Sequence, residues 1–164
     1  MCELMRRVAA RIPEVRLRLY DRQAEDDPAF LARFEATGAT CEWHEKTRYR
    51  DYIASFEDVS VGLAPLSQDT PFSRGKAFGK VLAYLDRRVP VVASDVGEYA
   101  AFFEPGCGIV SGALDVWSDE IIALLGDAAR RQKMADLAFE RFKARLSLAQ
   151  AARETDRILR RIIT

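Results

Sequence analysis

Short apolar runs alternate with helical patterns along most of this chain, and this alternation constrains its fold more than any other feature. Residues 15–20 alternate between apolar and polar with period two, and residues 40–44 form a second short run. Residues 59–63, 90–93 and 108–110 are rich in valine and isoleucine, as expected of buried strands. Each run predicts a strand, and the interleaved helices favour a parallel sheet.

The helical patterns complete an α/β order. Helices are predicted at 2–12 (ended by Pro13), from Pro28 until Gly38, and at 48–56. Phe78, Val81, Leu82 and Leu85 recur at helical spacing, and three closing helices follow at 116–125, 128–145 and 148–163. The expected fold is one domain, residues 1–164, with a doubly wound, Rossmann-like parallel sheet flanked by helices. Such a domain begins with a strand, whereas this chain begins in a helix, so its first strand is expected upstream.

The composition excludes several classes of protein. The chain has 164 residues, of which 49% are hydrophobic and 30% are charged, with 25 basic and 25 acidic side chains. Zero net charge argues against a nucleic-acid partner. Three widely spaced cysteines without a CxxC pair argue against disulfides and metal, and favour a cytoplasmic location. No transmembrane segment or signal peptide is predicted, and no cofactor or metal is expected.

Two loops follow predicted strands, at 64–75 and 94–98, where ligands bind in open α/β sheets. The first leads into Arg74, Gly75, Lys76 and Lys80, which place three cations at a predicted helix start. Cations there oppose the helix dipole, and like charges at i and i+4 repel. A bound diphosphate would resolve both conflicts, since helix N–H groups, a permissive glycine and cations all suit an anion. A solvated basic face is the alternative interpretation.

Other residues have plainer expected roles. Ser94 or Asp95 is expected to cap a helix, while Gly97 suits either a ligand approach or a turn. His44, the single histidine, is expected to be structural. Cys107, Trp43 and Trp117 are expected in the core.

Four segments resemble the C-terminal domain of GT-B glycosyltransferases of the retaining group-1 type. DVSVGLAPL (58–66) is similar to the strand that ends in a Pro-Leu loop, and PFSRGKAFGKVLAYLDRRVPVVASDVGE (71–98) to the donor-site helix and next strand. CGIVSGALDVWSDEIIALLGD (107–127) and RRQKMADLAFERFKARLSLAQAARETDRIL (130–159) are similar to the following strand and closing helices. Their order and spacing over about 100 residues are the specific signal.

The resemblance implies roles for individual residues. Lys76 and Lys80, with Arg74 and the Gly75 backbone, match positions that hold the donor diphosphate. Pro65, Leu66, Ala83, Tyr84 and Gly97 match possible nucleotide-sugar contacts. The family's ribose-binding glutamate falls on Ala83, and a small polar residue falls on Ala77, so the sequence departs from the family there. No catalytic residue is assigned.

The resulting hypothesis is a donor domain that binds a nucleotide-diphosphate sugar for glycosyl transfer to an unknown acceptor. An absent N-terminal domain would hold the acceptor, so the isolated domain is expected to be inactive. Alternatives are a non-catalytic GT-B module with a decayed donor site, a different Rossmann-like nucleotide binder (whose GxGxxG fingerprint is missing) and a sugar-nucleotide epimerase. The last helix is expected to pack by the stripe Leu148, Ala152, Ile158, Leu159 and Ile162. Without the second domain, this stripe is expected to leave an apolar patch that favours a homodimer.

Overall fold

The computed structural model describes residues 1–20, 28–45, 47–67, 70–76 and 79–163. Five strands are described, all in parallel pairs: β1 (Arg16–Tyr20), β2 (Thr40–His44), β3 (Gly62–Ala64), β4 (Val91–Ala93) and β5 (Ile109–Val110). Nine helices are described: α1 (Cys2–Arg11), α2 (Pro28–Glu35), α3 (Tyr49–Ala54), α4 (Pro71–Arg74), α5 (Gly79–Asp86), α6 (Tyr99–Phe102), α7 (Leu114–Gly126), α8 (Ala128–Leu146) and α9 (Leu148–Ile163). The predicted parallel α/β architecture is confirmed.

The strands form two sheets. Strand β1 pairs with β2, with Leu17 opposite Cys41, and β3 pairs with β4, which pairs with β5. The described strands of one sheet are not hydrogen-bonded to those of the other. The sheet is therefore split between β1 and β3, whereas the sequence pattern predicts one sheet.

Both sheets nevertheless lie in one layer. Apolar side chains on one face of each sheet, such as Leu17 and Val92, pack in a single core with α1, α2 and α7. The opposite face packs against α3, α5 and α6 in two smaller clusters, which α5 joins. The arrangement is a three-layer α/β/α sandwich, and helix α8 contributes residues to both sides.

Helix α1 packs in the outer helical layer through a single apolar face. Its apolar residues recur at i, i+1, i+4 and i+5, so Leu4, Met5, Val8 and Ala9 share one buried face. Pro13 follows the C-cap Ile12 and prevents continuation. That buried face packs mainly against α7.

The start of one strand and two short helices differ from the sequence expectation. Strand β3 begins at Gly62 rather than at residue 59, because the turn after α3 continues and the Val59 N–H donates to the Phe56 carbonyl. Helices α4 and α6 are short single turns that the apolar pattern did not reveal. Phe78 and Ala77 lie outside the described residues.

Helix α9 projects its apolar stripe into solvent. Leu148 is 87% exposed and Ile162 is 74% exposed, with Ile158 and Leu159 about half exposed. The predicted exposed patch is confirmed, and the homodimer that it favours stays a prediction. Within the described ranges, no helix has the length and apolar character needed to cross a membrane.

Candidate functional site

The loops after β3 and β4 meet at the carboxyl edge of the second sheet. The Leu66 N–H donates to Ser94 Oγ at 2.8 Å, and the Ser94 N–H donates to the Ala64 carbonyl at 3.2 Å. The predicted proximity of segments 64–75 and 94–98 is confirmed. The expected helix-capping role of Ser94 or Asp95 is wrong, because α6 has Glu98 at its N-cap and Ser94 is a buried link between loops.

Gly97 brings the second loop against the backbone of the first. Its φ of +65° lies in the left-handed region, and a Cβ there would be 3.4 Å from the Arg74 carbonyl oxygen and 3.5 Å from that of Lys76. A side chain at this position is strained by the positive φ, whereas the two Cβ distances are ordinary van der Waals contacts. Gly97 therefore lies against the backbone of residues 74–76 at the sheet edge.

Gly75 does not provide the cradle that its sequence context favours. Thr70 caps α4 through its hydroxyl, and Gly75 forms the C-cap at an ordinary φ of −89°. The Gly75 N–H donates to the Pro71 carbonyl, and the Lys76 N–H donates to that of Ser73. Anion-binding groups here are consequently side chains and the first N–H groups of α5.

Three cationic side chains lie on the segment that leads from this edge into α5. Arg74 and Lys80 are exposed and Lys76 is half-buried; Lys80 is the second residue of α5, and Lys76 precedes that helix. In the described part of the chain, none of the three has a carboxylate within 4.0 Å. Their charges are therefore not compensated by described acidic side chains.

An exposed aromatic ring also lies at this edge, and the sequence analysis missed it. The Lys76 ammonium lies 4.7 Å from the ring centroid of Phe72, which is 72% exposed. A phenylalanine four residues before a lysine, next to the N1 proline of a short helix, is the signal that could have identified it. The ring offers an apolar, stackable face beside the cations.

Ala83 is buried in the protein interior, and Tyr84 is half-buried beside it. Ala83 is 4% exposed and packs with Ile53, Phe56 and Val89. Tyr84 stacks on Phe56 with centroids 5.0 Å apart, and burial raises the pKa of its phenol. A ligand could contact Ala83 only if that cluster opened. Pro65 is exposed and Leu66 is half-buried at the loop.

The remaining candidates have structural roles. His44 stacks on Tyr20 with centroids 5.0 Å apart, at the ends of β2 and β1. Cys107 is buried in the second core cluster, and burial raises the pKa of its thiol, so it is not an activated nucleophile. Trp43 and Trp117 pack in the first core cluster. Residues in the described ranges form no group of three or more His, Cys, Asp or Glu that could hold a metal ion.

A depression of about 280 Å³ lies at the opposite edge of the sheet. It is lined by Ser60 and Pro90, which precede β3 and β4, and by residues of α8. Its two arginines are used elsewhere: Arg88 pairs with Asp136, and Arg131 donates to the carbonyls of Leu124 and Leu125. Because ligands of open α/β sheets bind at the carboxyl ends of strands, the cationic edge is the better candidate.

Comparison with known proteins identifies the fold. No protein-family model and no curated protein sequence matches the chain. The chain is similar in structure to a glycosyltransferase from Rickettsia africae (TM-score 0.75, 11% identity), covering 99% of this chain and 44% of that one. It is also similar to S. aureus TarM, a mutant in complex with fondaparinux, alpha-GlcNAc-glycerol and UDP (TM-score 0.68, 14% identity), covering 89% of this chain and 29% of that one.

The chain thus spans less than half the length of either glycosyltransferase. At these identities the likeness concerns the fold, and the parallel strands and flanking helices agree with it. The chain has the Rossmann-like, GT-B-like fold of a glycosyltransferase domain.

Proposed function

We propose that this domain binds the diphosphate of a nucleotide sugar at the carboxyl edge of β3 and β4, as the donor half of a glycosyltransferase. The observation that carries the proposal is that Arg74, Lys76 and Lys80, which have no described acidic partner, lie on the segment that leads from the β3 loop into α5. The β4 loop contacts the same segment at Gly97. A diphosphate supplies the missing negative charge, and α5 directs its positive dipole end toward the same place.

Each residue then has a role in donor binding. Lys76 and Lys80 neutralise the departing diphosphate, which is the main electrostatic demand of glycosyl transfer. Arg74 adds a third charge, and Gly97 holds the backbone that carries Arg74 and Lys76. Phe72 offers its ring to an apolar part of the ligand.

The acceptor belongs to a second domain in this proposal. The chain covers 44% of the Rickettsia africae glycosyltransferase, so a full transferase needs a further half that this chain would face. Within the chain we assign donor binding and no catalytic residue. A cytoplasmic setting suits its three free cysteines.

A second candidate function is supported by Ala83. The family resemblance places a ribose-binding glutamate there, whereas this side chain is sealed in an apolar cluster. Alanine in place of this glutamate is what we expect of a GT-B module that has lost donor binding and serves in assembly. Binding measurements separate the two candidates.

The test is calorimetric titration of UDP, ADP and inorganic pyrophosphate at low salt. We expect weak binding, near millimolar, that weakens further with added salt. Lys80→Ala should reduce affinity about ten- to a hundredfold, the loss of one charge-assisted contact of roughly 1.5–3 kcal/mol. Lys133→Ala, which removes an exposed lysine of α8, is the matched control and should have no effect. If none of the three ligands binds at low salt, the donor-site proposal fails and the non-catalytic candidate replaces it.

A further inference from the structure

The exposed ring of Phe72 is carried by a short helix that is fixed at both ends. At the start of α4, the Thr70 hydroxyl accepts the Ser73 N–H at 3.2 Å and bonds to Ser73 Oγ at 2.9 Å. At its end, the Gly75 N–H donates to the Pro71 carbonyl at 3.0 Å. Ser73 is buried, whereas Phe72 is 72% exposed, so this turn holds the aromatic ring out toward solvent.

This ring lies directly beside the cations proposed to hold the diphosphate. The Lys76 ammonium is 4.7 Å from the centroid of Phe72, and no described carboxylate lies within 4.0 Å of that ammonium. An anion bound by Lys76 therefore brings the group that is bonded to it within reach of the ring.

Two exposed carboxylates lie on the neighbouring segment, on either side of Gly97. Asp95 and Glu98 form no ion pair with any residue that the structure describes, and Glu98, the N-cap of α6, makes no side-chain capping bond. A Cβ on Gly97 would be 3.8 Å from the Ser73 carbonyl oxygen, so this segment lies against α4. The same edge thus carries acceptors for hydroxyl groups beside the Phe72 ring.

The connectivity of a nucleotide sugar decides which of its parts meets the ring. The hexopyranose is bonded to the diphosphate through its own anomeric oxygen, whereas the whole ribose separates the nucleobase from the diphosphate. The group next to a diphosphate on Lys76 is therefore a sugar, and the base lies further away. A pyranose also has a flat face of C–H groups, which suits an aromatic ring, and a rim of hydroxyls, which donate hydrogen bonds to carboxylates.

We propose that the ring of Phe72 is the stacking surface for the hexopyranose of the donor, and that Asp95 and Glu98 accept hydrogen bonds from its hydroxyls. The domain then binds a nucleotide sugar more tightly than the corresponding nucleotide. This inference rests on the proposed function, because the sugar reaches Phe72 only when the cations hold its diphosphate. It goes further by assigning the subsite that recognises the transferred sugar.

The test is the ratio of two affinities, measured by titration at low salt: UDP-glucose against UDP, with ADP-glucose against ADP as a second pair. In the native chain the sugar nucleotide should bind about three- to tenfold more tightly than its nucleotide, from the apolar area that stacking buries. Phe72→Leu keeps an apolar side chain without the flat ring and should bring this ratio close to one, whereas Phe72→Trp should preserve it. The ratio cancels any effect that the lost contact with Lys76 has on the diphosphate. Tyr49→Leu, at an equally exposed aromatic residue of α3, is the control and should leave the ratio unchanged.

Saturation-transfer difference NMR on UDP-glucose supplies a second readout, since it identifies the part of the ligand that touches the protein. The hexose C–H protons should receive saturation, and Phe72→Leu should reduce their signal while the uracil signal persists. A loss confined to the uracil protons assigns the ring to the base and overturns the inference.

The outcomes separate this inference from the proposed function. If UDP binds but UDP-glucose binds no more tightly, or if Phe72→Leu leaves the ratio unchanged, the sugar subsite is wrong and donor-diphosphate binding stands. If neither UDP nor UDP-glucose binds at low salt, the proposed function fails and the sugar subsite fails with it.

Discussion

Arg18 and Asp58 form a two-bond ion pair, with Nη1–Oδ1 and Nη2–Oδ2 distances of 2.7 and 2.8 Å, that joins β1 to the segment before β3. The same guanidinium donates to Glu42 Oε2 at 3.0 Å and to the Ser55 carbonyl at 2.6 Å. Arg18 therefore links β1 and β2 to the end of α3 and to the segment before β3, in a region where no strand pairing is described.

Substitution of Arg18 should make the free energy of unfolding depend less on pH in the acidic range. Hydrogen bonds from Arg18 hold the pKa of Asp58 and of Glu42 below their ordinary values. This contribution is therefore complete above about pH 5 and is lost as pH falls through the depressed pKa values. Arg18→Leu should cost about 1–2 kcal/mol at pH 7, a modest figure because Asp58 is half exposed, and less at pH 3. Urea denaturation at both pH values measures this.

Arg16→Leu is the matched control for that experiment. Arg16 lies on the same strand and bonds to the same Glu42, but its side chain is 60% exposed. Its loss should cost under about 0.5 kcal/mol. A deficit for Arg18→Leu that is as large at pH 3 as at pH 7 would show that packing, not ion pairing, sets its value.

Gly97→Ala should destabilise the carboxyl edge. Alanine at a φ of +65° is strained, although its Cβ would lie at ordinary van der Waals distance from the Arg74 and Lys76 carbonyls. We expect a loss of about 1–2 kcal/mol in the free energy of unfolding. Gly126→Ala, at the end of α7 with no atom within 4 Å of the new Cβ, should be neutral or slightly stabilising. Equal effects at the two glycines would contradict the strained conformation.

The two tryptophans should respond differently to removal of the indole N–H. Trp117 Nε1 donates to the Ser111 carbonyl at 2.8 Å, whereas Trp43 Nε1 is buried without a partner in the described structure. Trp117→Phe therefore removes a hydrogen bond to the Ser111 carbonyl, which keeps the bond from the Asp95 N–H, whereas Trp43→Phe removes a buried unpaired donor. Both substitutions lose a similar ring volume. Trp117→Phe should therefore lower the free energy of unfolding by about 1 kcal/mol more than Trp43→Phe does. Chemical denaturation decides this, and a larger loss for Trp43→Phe would contradict it.

Ala83→Glu should unfold part of the domain rather than restore a ribose contact. The new carboxylate would lie among Ile53, Phe56 and Val89 without a described polar partner. We expect a loss of about 3 kcal/mol or more, with no gain in affinity for UDP. Ala144→Glu, at an exposed position of α8, is the control and should be tolerated. A stable Ala83→Glu variant that binds UDP more tightly would show that the cluster opens.

Local patterns were sufficient to predict most elements of the fold. Strand β2 has the predicted bounds, and α8 and α9 differ by one residue at most, because their periodicity and caps are local. Strand β3 begins later than predicted because the turn after α3 and the packing of Val59 with Phe56 overrode the strand propensity of Val59 and Val61. The split sheet was not predicted, because strand pairing depends on contacts distant in sequence.

The candidate site was predicted less completely. Cation positions and the meeting of the two loops followed from the sequence. The burial of Ala83 did not, because a helix pattern gives the apolar face and not the neighbour that covers it. The backbone conformation at Gly75 was missed for a related reason: a glycine permits left-handed geometry without requiring it.

Helix α9 differs from the rest of the chain in what holds it together. No described residue of α9 belongs to any of the three core clusters. Its internal support includes pairs one turn apart, such as Arg157 with Glu154 and Arg160 with Asp156, which are worth a few tenths of a kcal/mol each. A helix of 16 residues that is supported only by such pairs has marginal stability in water. On heating, α9 is therefore the segment that melts first, in a transition separate from the cooperative unfolding of the sandwich.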